Sequence, residues 1–382
     1  MQIAASGHID AIPMGLISAS HRAVVSVVQI WYLRFFFGPT VLRFLAVGRV
    51  SVLAMSLVAS NSRATIVPER RTLRYDDVEA QATSQPGHEQ LYSQLTSGRF
   101  EGTLDSYVIS PRVALFVEAT NRSIRKQFSV LPEHLRIGFL VDEAGQFKCY
   151  GNGAQLGGGD ASVNLPMTPL DMHFGENYRG SWITLDYEHV RRMMLEDKQP
   201  SRRPGRLQVA DWAGGLFRDT LATAQQELFK PGAPRPHAST VAAFEKFLFS
   251  IAAWTLSTAL GYNGQVRRPN VAHRAQLLRK ACEIIDGKLT DGLTMSELCW
   301  MIGTSRRTLE NIFMEAFNVS PYQYVRTMRL NAIRKALLSA ENASISIGEV
   351  ASRWGIWHLS RFAADYRSIF GELPSETRQS RP

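Results

Sequence analysis

The sequence predicts an α+β chain. A strand-rich, barrel-like N-terminal domain with flanking helices precedes an all-α domain built as a double helix-turn-helix. Three observations carry this expectation. Residues 100–187 hold short runs of alternating or continuous β-branched and aromatic residues, separated by turn signals. After Tyr187 the apolar spacing becomes helical. Between Met295 and Tyr366 one apolar-and-glycine pattern occurs twice.

Composition bounds the answer further. A length of 382 residues accommodates about two domains. Apolar residues at 45% and charged residues at 20% are ordinary globular usage, which excludes collagen, mucin-like stalks and full disorder. Three cysteines (Cys149, Cys282, Cys299) are too few and too far apart for a disulfide framework or a zinc module, so a reducing compartment fits. Forty-three Lys and Arg against 34 Asp and Glu give a net charge of +9 and a pI near 9.6. That balance favours an anionic partner, nucleic acid or a membrane surface.

Residues 1–60 form an apolar leader interrupted by arginine. Arg34, Arg43 and Arg49, with Gly38-Pro39, break it into stretches shorter than the ~18–20 residues a membrane span needs. A cleavable signal peptide fits poorly, because the basic start is missing. The preferred reading takes Met55 as the true start and 1–54 as an upstream extension; a membrane-associating segment is the alternative. Residues 61–90 read as a polar arm, and 88–95 as a short helix. Strands are expected at 100–109, 112–119, 136–141, 146–150, 170–174 and 181–187. Turn signals stand at Ser110-Pro111 and at 142–145. Six to eight such strands make a small sandwich or a cupin-like barrel. Amphipathic helices are expected at 210–228 and 239–259, either packed on the barrel or forming a dimer contact. The segment 91–260 reads as an effector-sensing and dimerisation domain, 261–272 as a linker and 273–382 as the helical domain.

The repeat is local and specific. Met295, Leu298 and Cys299 precede Gly303 by eight, five and four residues; Ile347, Val350 and Ala351 precede Gly355 by the same intervals. Leu309 and Phe313 follow the first glycine, and Phe362 and Tyr366 the second, each pair one helical turn apart. A short helix ends at a glycine able to take positive φ, the chain turns, and a second helix packs back through its i, i+4 pair. An amphipathic helix over 321–339 joins the copies. Nineteen residues span about 28 Å, enough to set two helices roughly one DNA turn apart.

This layout resembles the DNA-binding domain of the AraC/XylS family of transcription regulators. The matching segments are GTSRRTLENIF (303–313), VSPYQYVRTMRLNAIRKAL (319–337), SIGEVASRWG (346–355) and FGELPSETR (370–378). WGIWHLSRFAADY (354–366) and LYSQLTSGRFEGTL (91–104) resemble the subgroup that regulates ethanolamine-utilisation operons. The resemblance implies a cytoplasmic, ligand-responsive activator that binds double-stranded DNA and contacts RNA polymerase, with a possible homodimer. A membrane is not expected as a partner. No cofactor is assigned; the subgroup implies ethanolamine with adenosylcobalamin as the effector pair.

In the first recognition helix Leu309 and Phe313 face inward. Ser305 is left as N-cap, with Arg306, Arg307, Glu310 and Asn311 facing out. Arginine suits guanine O6/N7 and asparagine an adenine edge. Glu310 accepts from cytosine N4 or orients a neighbouring arginine. In the second helix His358, Leu359, Arg361 and Ala364 are left for the groove and Arg367 for phosphate. The family usually carries arginine where Ala364 stands; alanine suits a thymine methyl. Arg326, Arg329, Arg334 and Lys335 on the joining helix are candidates for phosphate contacts, which position without specifying sequence. Trp354 and Trp357, flanking Gly355, are expected in the core.

Enzyme chemistry finds no foothold. The run GNGAQLGGG (151–159) lacks the Gly-Lys-Ser/Thr of a phosphate loop and reads as a hairpin loop. His134, His173 and His189 contain no His-x-His pair for a cupin metal site, and no metal ligands are assigned. No Gly-x-Ser-x-Gly elbow occurs. Cys149 reads as a small buried apolar residue. Arg136, Phe139, Phe147, Trp182 and Tyr187 lie on expected strands as pocket lining or as plain core. A cupin-like enzyme with a DNA-tethering module and a membrane-tethered DNA-binding sensor are the rival readings.

Overall fold

The order of elements follows from two sheets and a helical region that share one chain. A computed structural model describes residues 68–84, 90–140, 161–194, 236–262 and 269–380. It also describes 149–151, 154–156, 206–209 and single positions between 215 and 229. The 1–60 leader, Phe147, most of the 151–159 run, most of the 210–228 helix and the middle of the 261–272 linker lie outside the described residues.

Strand β1 (Glu69–Tyr75) and helix α1 (Val78–Ala82) come first, followed by β2 (Gln90–Gln94). The strands β3 (Gly102–Ser110), β4 (Val113–Thr120), β5 (Ile124–Ser129) and β6 (His134–Leu140) follow. Short strands β7 (Cys149–Gly151), β8 (Ala154–Leu156) and β9 (Ala161–Asn164) lead to β10 (Pro169–Phe174) and β11 (Tyr178–Asp186). Helix α2 (Tyr187–Met193), β12 (Arg206–Val209) and the long α3 (Ala238–Tyr262) complete this part.

Among the described residues the strands form two antiparallel sheets, ordered β1-β3-β4-β11-β6-β9-β12 and β2-β5-β10-β7-β8. Neither closes, so the barrel-like expectation becomes an open two-sheet sandwich. Two further expectations change. The arm at 61–90 contributes β1, in register with β3 from Glu69↔Val108 to Tyr75↔Gly102, and helix α1. The short helix expected at 88–95 is strand β2, because Tyr92 and Gln94 pair with Lys126 and Ile124 of β5.

Alternation gives each sheet two unlike faces. Leu115, Val117, Ile137, Val163 and Ile183 of the large sheet point toward α3, whose Val241, Phe244, Leu248 and Ala252 are buried against them. Each such large side chain contributes roughly 1.5–3 kcal/mol on burial. The other face carries Glu118, Arg136, Asn164 and Trp182. The small sheet covers it with Tyr92, Lys126 and Phe128.

The helical region comprises α4 (Pro269–Gly287), α5 (Met295–Ile302), α6 (Arg306–Phe317), α7 (Pro321–Leu338), α8 (Ile347–Arg353), α9 (Leu359–Phe370) and α10 (Pro374–Gln379). It has two cores. One joins α4 to α6 and the start of α7; the other joins the end of α7 to α8 and α9. Sheets and helices belong to one compact unit, Ser62–Pro382. The outer face of the small sheet meets the helices through Arg125, held by Asp171 of β10 and Asp286 of α4. Among the described residues no helix is long and apolar enough to cross a membrane.

Candidate nucleic-acid interface

Both turns are built from the signals the sequence carries. Thr294 and Glu297 form a reciprocal capping box at the start of α5. Gly303 ends that helix at φ 78°, ψ 41°, its N–H donating to the Cys299 carbonyl at 2.9 Å. Ser305 then caps α6, its hydroxyl accepting from the Thr308 N–H at 3.1 Å. Leu309 and Phe313 are buried. Ser305, Arg306, Arg307 and Asn311 are exposed, and Glu310 is half-buried. Glu310 accepts from Arg306 Nε at 2.9 Å, so one turn of this face is an internal ion pair. Arg307 and Asn311 make no ion pair or side-chain hydrogen bond among the described residues.

The second copy repeats the geometry. Ser346 caps α8, and Gly355 takes φ 72°. His358 occupies the N-cap of α9 without a side-chain capping bond. Phe362 and Tyr366 are buried, while His358, Leu359, Arg361, Ala364 and Arg367 are exposed; Arg361, Ala364 and Arg367 share the face opposite the buried pair, and Leu359, at i−3 and i−7 from that pair, lies on the inward side against Gly348 of α8. Trp354 packs against the second helical core, as expected. Trp357 does not; it is 74% exposed and stands beside His358 at the N-terminal end of α9. The two units share α7, whose 18 residues span about 27 Å.

The helix-turn-helix domain model matches residues 298–380. The chain is 30% identical over 115 residues to XylDLEGF operon transcriptional activator 2 of Pseudomonas putida, covering 30% of this chain and 73% of that one. The chain belongs to the AraC/XylS family. A second relative is a probable thc operon regulatory protein of Rhodococcus erythropolis, 32% identical over 106 residues. That match covers 28% of this chain and only about a third (32%) of the relative's length. A solved structure of the AraC-like transcriptional activator CuxR aligns over 74% of this chain and 98% of its own, at 14% identity and a TM-score of 0.36.

In this AraC/XylS chain the joining helix departs from the expected phosphate-contact role. Arg334 is buried and pairs with Asp77 at the cap of α1 and with Glu372. Arg329 donates from Nε to the Leu289 carbonyl at 2.9 Å and from Nη2 to the Asp291 carbonyl at 3.0 Å. Arg326 pairs with Asp365 of α9. Lys335 alone of the four is exposed. The reason is packing. Thr327, Asn331 and Arg334, at i, i+4 and i+7, form one polar stripe that faces the sheets and α10, not solvent.

Of the residues expected to line a pocket, Arg136 and Trp182 meet between the sheets, with the guanidinium carbon 4.2 Å from the ring centroid. Phe139 faces the α3 side and Tyr187 packs there too. Glu118, Lys126 and Tyr92 complete the inner cluster and were not singled out from sequence. Burial drives Lys126 down to about 8, against the Glu118 carboxylate that raises it. Burial alone would raise Glu118; the Lys126 ammonium and three hydrogen bonds hold it below the ordinary carboxylate value.

Proposed function

We propose that the chain is a sequence-specific, ligand-responsive transcription regulator, an activator of a catabolic operon. The carrying observation is the pair of helix-turn-helix units on one rigid spacer, each presenting the exposed N-terminal part of its second helix. Arg307 and Asn311 read base edges in one major groove; Arg306 is oriented by Glu310, and Ser305 adjoins a phosphate. His358, Leu359, Arg361 and Ala364 enter the next groove, and Arg367 lies on the backbone. Double-stranded DNA in the cytoplasm is the partner, with RNA polymerase and a second copy of the chain as further partners. The sheet region 91–260 senses the effector and shifts a balance between DNA-competent and incompetent states. The likeness of 91–104 and 354–366 to the ethanolamine-operon subgroup makes ethanolamine with adenosylcobalamin one arm of the effector test. No catalytic role is assigned.

The test is fluorescence anisotropy of the full chain on a duplex from its own upstream intergenic region, beside a scrambled duplex, across a salt series. Tight binding to the native duplex, weakened by Arg307→Ala, with a log–log salt slope of about −0.9 per neutralised phosphate, supports the reading. No binding to either duplex at low salt would overturn it.

A further inference from the structure

We infer that Arg329 is a positioning residue for DNA recognition: its guanidinium braces the two helix-turn-helix units across their seam on α7 and so sets which spacing of half-sites the chain reads. The inference rests on the regulator reading and deepens it.

The two units do not share a core. On α7 the first core takes Tyr324, Val325 and Met328, and the second takes Leu330, Ile333 and Leu337. Among the described residues no apolar side chain belongs to both. Arg329 stands between the last residue of one set and the first of the other. At about 100° per residue, the two sets fall on nearly opposite sides of the helix. Arg329 lies on one flank between them. The Thr327, Asn331 and Arg334 stripe that docks on the sheets and α10 lies on the other.

The half-buried Arg329 side chain touches both units at once. Its Nε donates to the Leu289 carbonyl at 2.9 Å and its Nη2 to the Asp291 carbonyl at 3.0 Å. Both carbonyls belong to the loop between α4 and α5, whose Leu289 and Leu293 side chains pack on the first core. That loop runs directly into the Thr294 capping box at the start of α5. On the other side, the guanidinium carbon and Nη1 are each 3.6 Å from the point where a Cβ on Gly355 would stand. Gly355 forms the turn of the second unit, between Trp354 and Ile356, which pack on the second core. Arg326, one helical turn earlier on α7, pairs with Asp365 and ties the second recognition helix to the same stretch of spacer.

The spacer helix fixes the axial distance between the units but not their tilt. Small bodies joined by a small contact rock about it unless something spans the joint. Both recognition helices must enter their grooves together, so a change of tilt is a change in the half-site spacing that fits. One planar fork that bonds two carbonyls, with the opposite turn resting against it, resists that rocking. A lysine, a point charge on a flexible stem, does not reproduce the fork.

Two readouts test this, one of them without DNA. In the full chain, ketone-bearing unnatural residues replace Ser296 of α5 and Ser360 of α9, both exposed, and carry spin labels. Pulsed electron resonance is expected to give one narrow distance distribution in the parent and a broadened one in Arg329→Met. The second readout uses the duplex from the upstream intergenic region, its two half-sites located by hydroxyl-radical footprinting. Inserting two base pairs between them moves the second groove by about 7 Å and about 70°, and the parent is expected to lose about ten-fold or more in affinity. Arg329→Met is expected to lose about three-fold or less on that insertion, with a lower ratio of full-site to half-site affinity, and Arg329→Lys to fall between. Val241→Ala, a core change in α3 away from the seam, is expected to keep the parent's spacing selectivity. Equally narrow distributions in parent and Arg329→Met, or spacing selectivity that is absent in the parent or unchanged in the variant, would overturn the proposal. So would an equal loss on full-site and half-site duplexes, which marks plain destabilisation. A chain that binds no duplex fails as a regulator, and the label distances still decide the brace.

Discussion

Asn331 and Gln94 exchange two hydrogen bonds across 237 residues of sequence. The Gln94 N–H donates to Asn331 Oδ1 and Asn331 Nδ2 donates to the Gln94 carbonyl, each at 2.8 Å. One amide on the spacer helix thereby satisfies the free edge of β2, which is the outer strand of the small sheet. Asn331→Leu leaves both backbone groups buried and unpaired. It should cost about 2–4 kcal/mol in urea denaturation, several times the cost of an ordinary surface substitution.

Gly303 sits at φ 78°, and nothing lies within 4 Å of the place a Cβ would take. The penalty of Gly303→Ala is therefore conformational only. It should lower stability by about 1–2 kcal/mol, with Gly303→Asn costing less, since asparagine tolerates this region.

Arg307 and Arg306 are sequence neighbours with different ties. Arg306 is bonded to Glu310, whereas Arg307 has no such restraint. Arg307→Ala should weaken binding to the native duplex by about 1–3 kcal/mol and change scrambled-duplex binding little. Lys335→Ala should instead weaken both duplexes alike and make the salt slope about 0.9 shallower.

His173 lies between the small sheet and the helices, its ring 4.3 Å from that of Phe317 and its Nε2 3.4 Å from Tyr324 OH. Burial drives its pKa down to about 3, with Arg125 adding to the shift and Asp171 opposing it. Below about pH 6.5 the unfolded chain binds a proton that the native chain refuses, so its stabilising share is present above that pH and lost as pH falls toward 3. His173→Phe should flatten stability against pH in that window, measured by urea midpoints at stepped pH.

Arg125 and Lys126 are adjacent on β5 and point to opposite faces. Lys126 faces the inner cluster, and Arg125 reaches Asp286 of α4 through two 2.6 Å contacts. Asp286→Asn takes one of the two carboxylates from the buried Arg125 and should lower stability by about 1–3 kcal/mol, read as a shift of the urea midpoint.

The helix-turn-helix units were legible because every instruction in them is local. A cap at Ser305, a glycine at the turn and an apolar pair one helical turn apart are within a dozen residues, and backbone sterics leave such a segment few options. The inward positions Leu309, Phe313, Phe362 and Tyr366 followed from the same period. Strands β1 and β2 were not legible. ERRTLRY and QLYSQ are too polar to announce themselves; β1 is held by its ladder with β3, and β2 between β5 and the spacer helix. Sequence also could not separate an arginine that faces solvent from one that faces a partner surface. Arg334 reads as a surface cation until Asp77, more than 250 positions away, is folded against it. Sequence alone thus determined the two turns and the inward faces of their helices. Tertiary structure alone decided which polar side chains are spent on docking, because those assignments depend on charges and edges brought together only when distant segments pack.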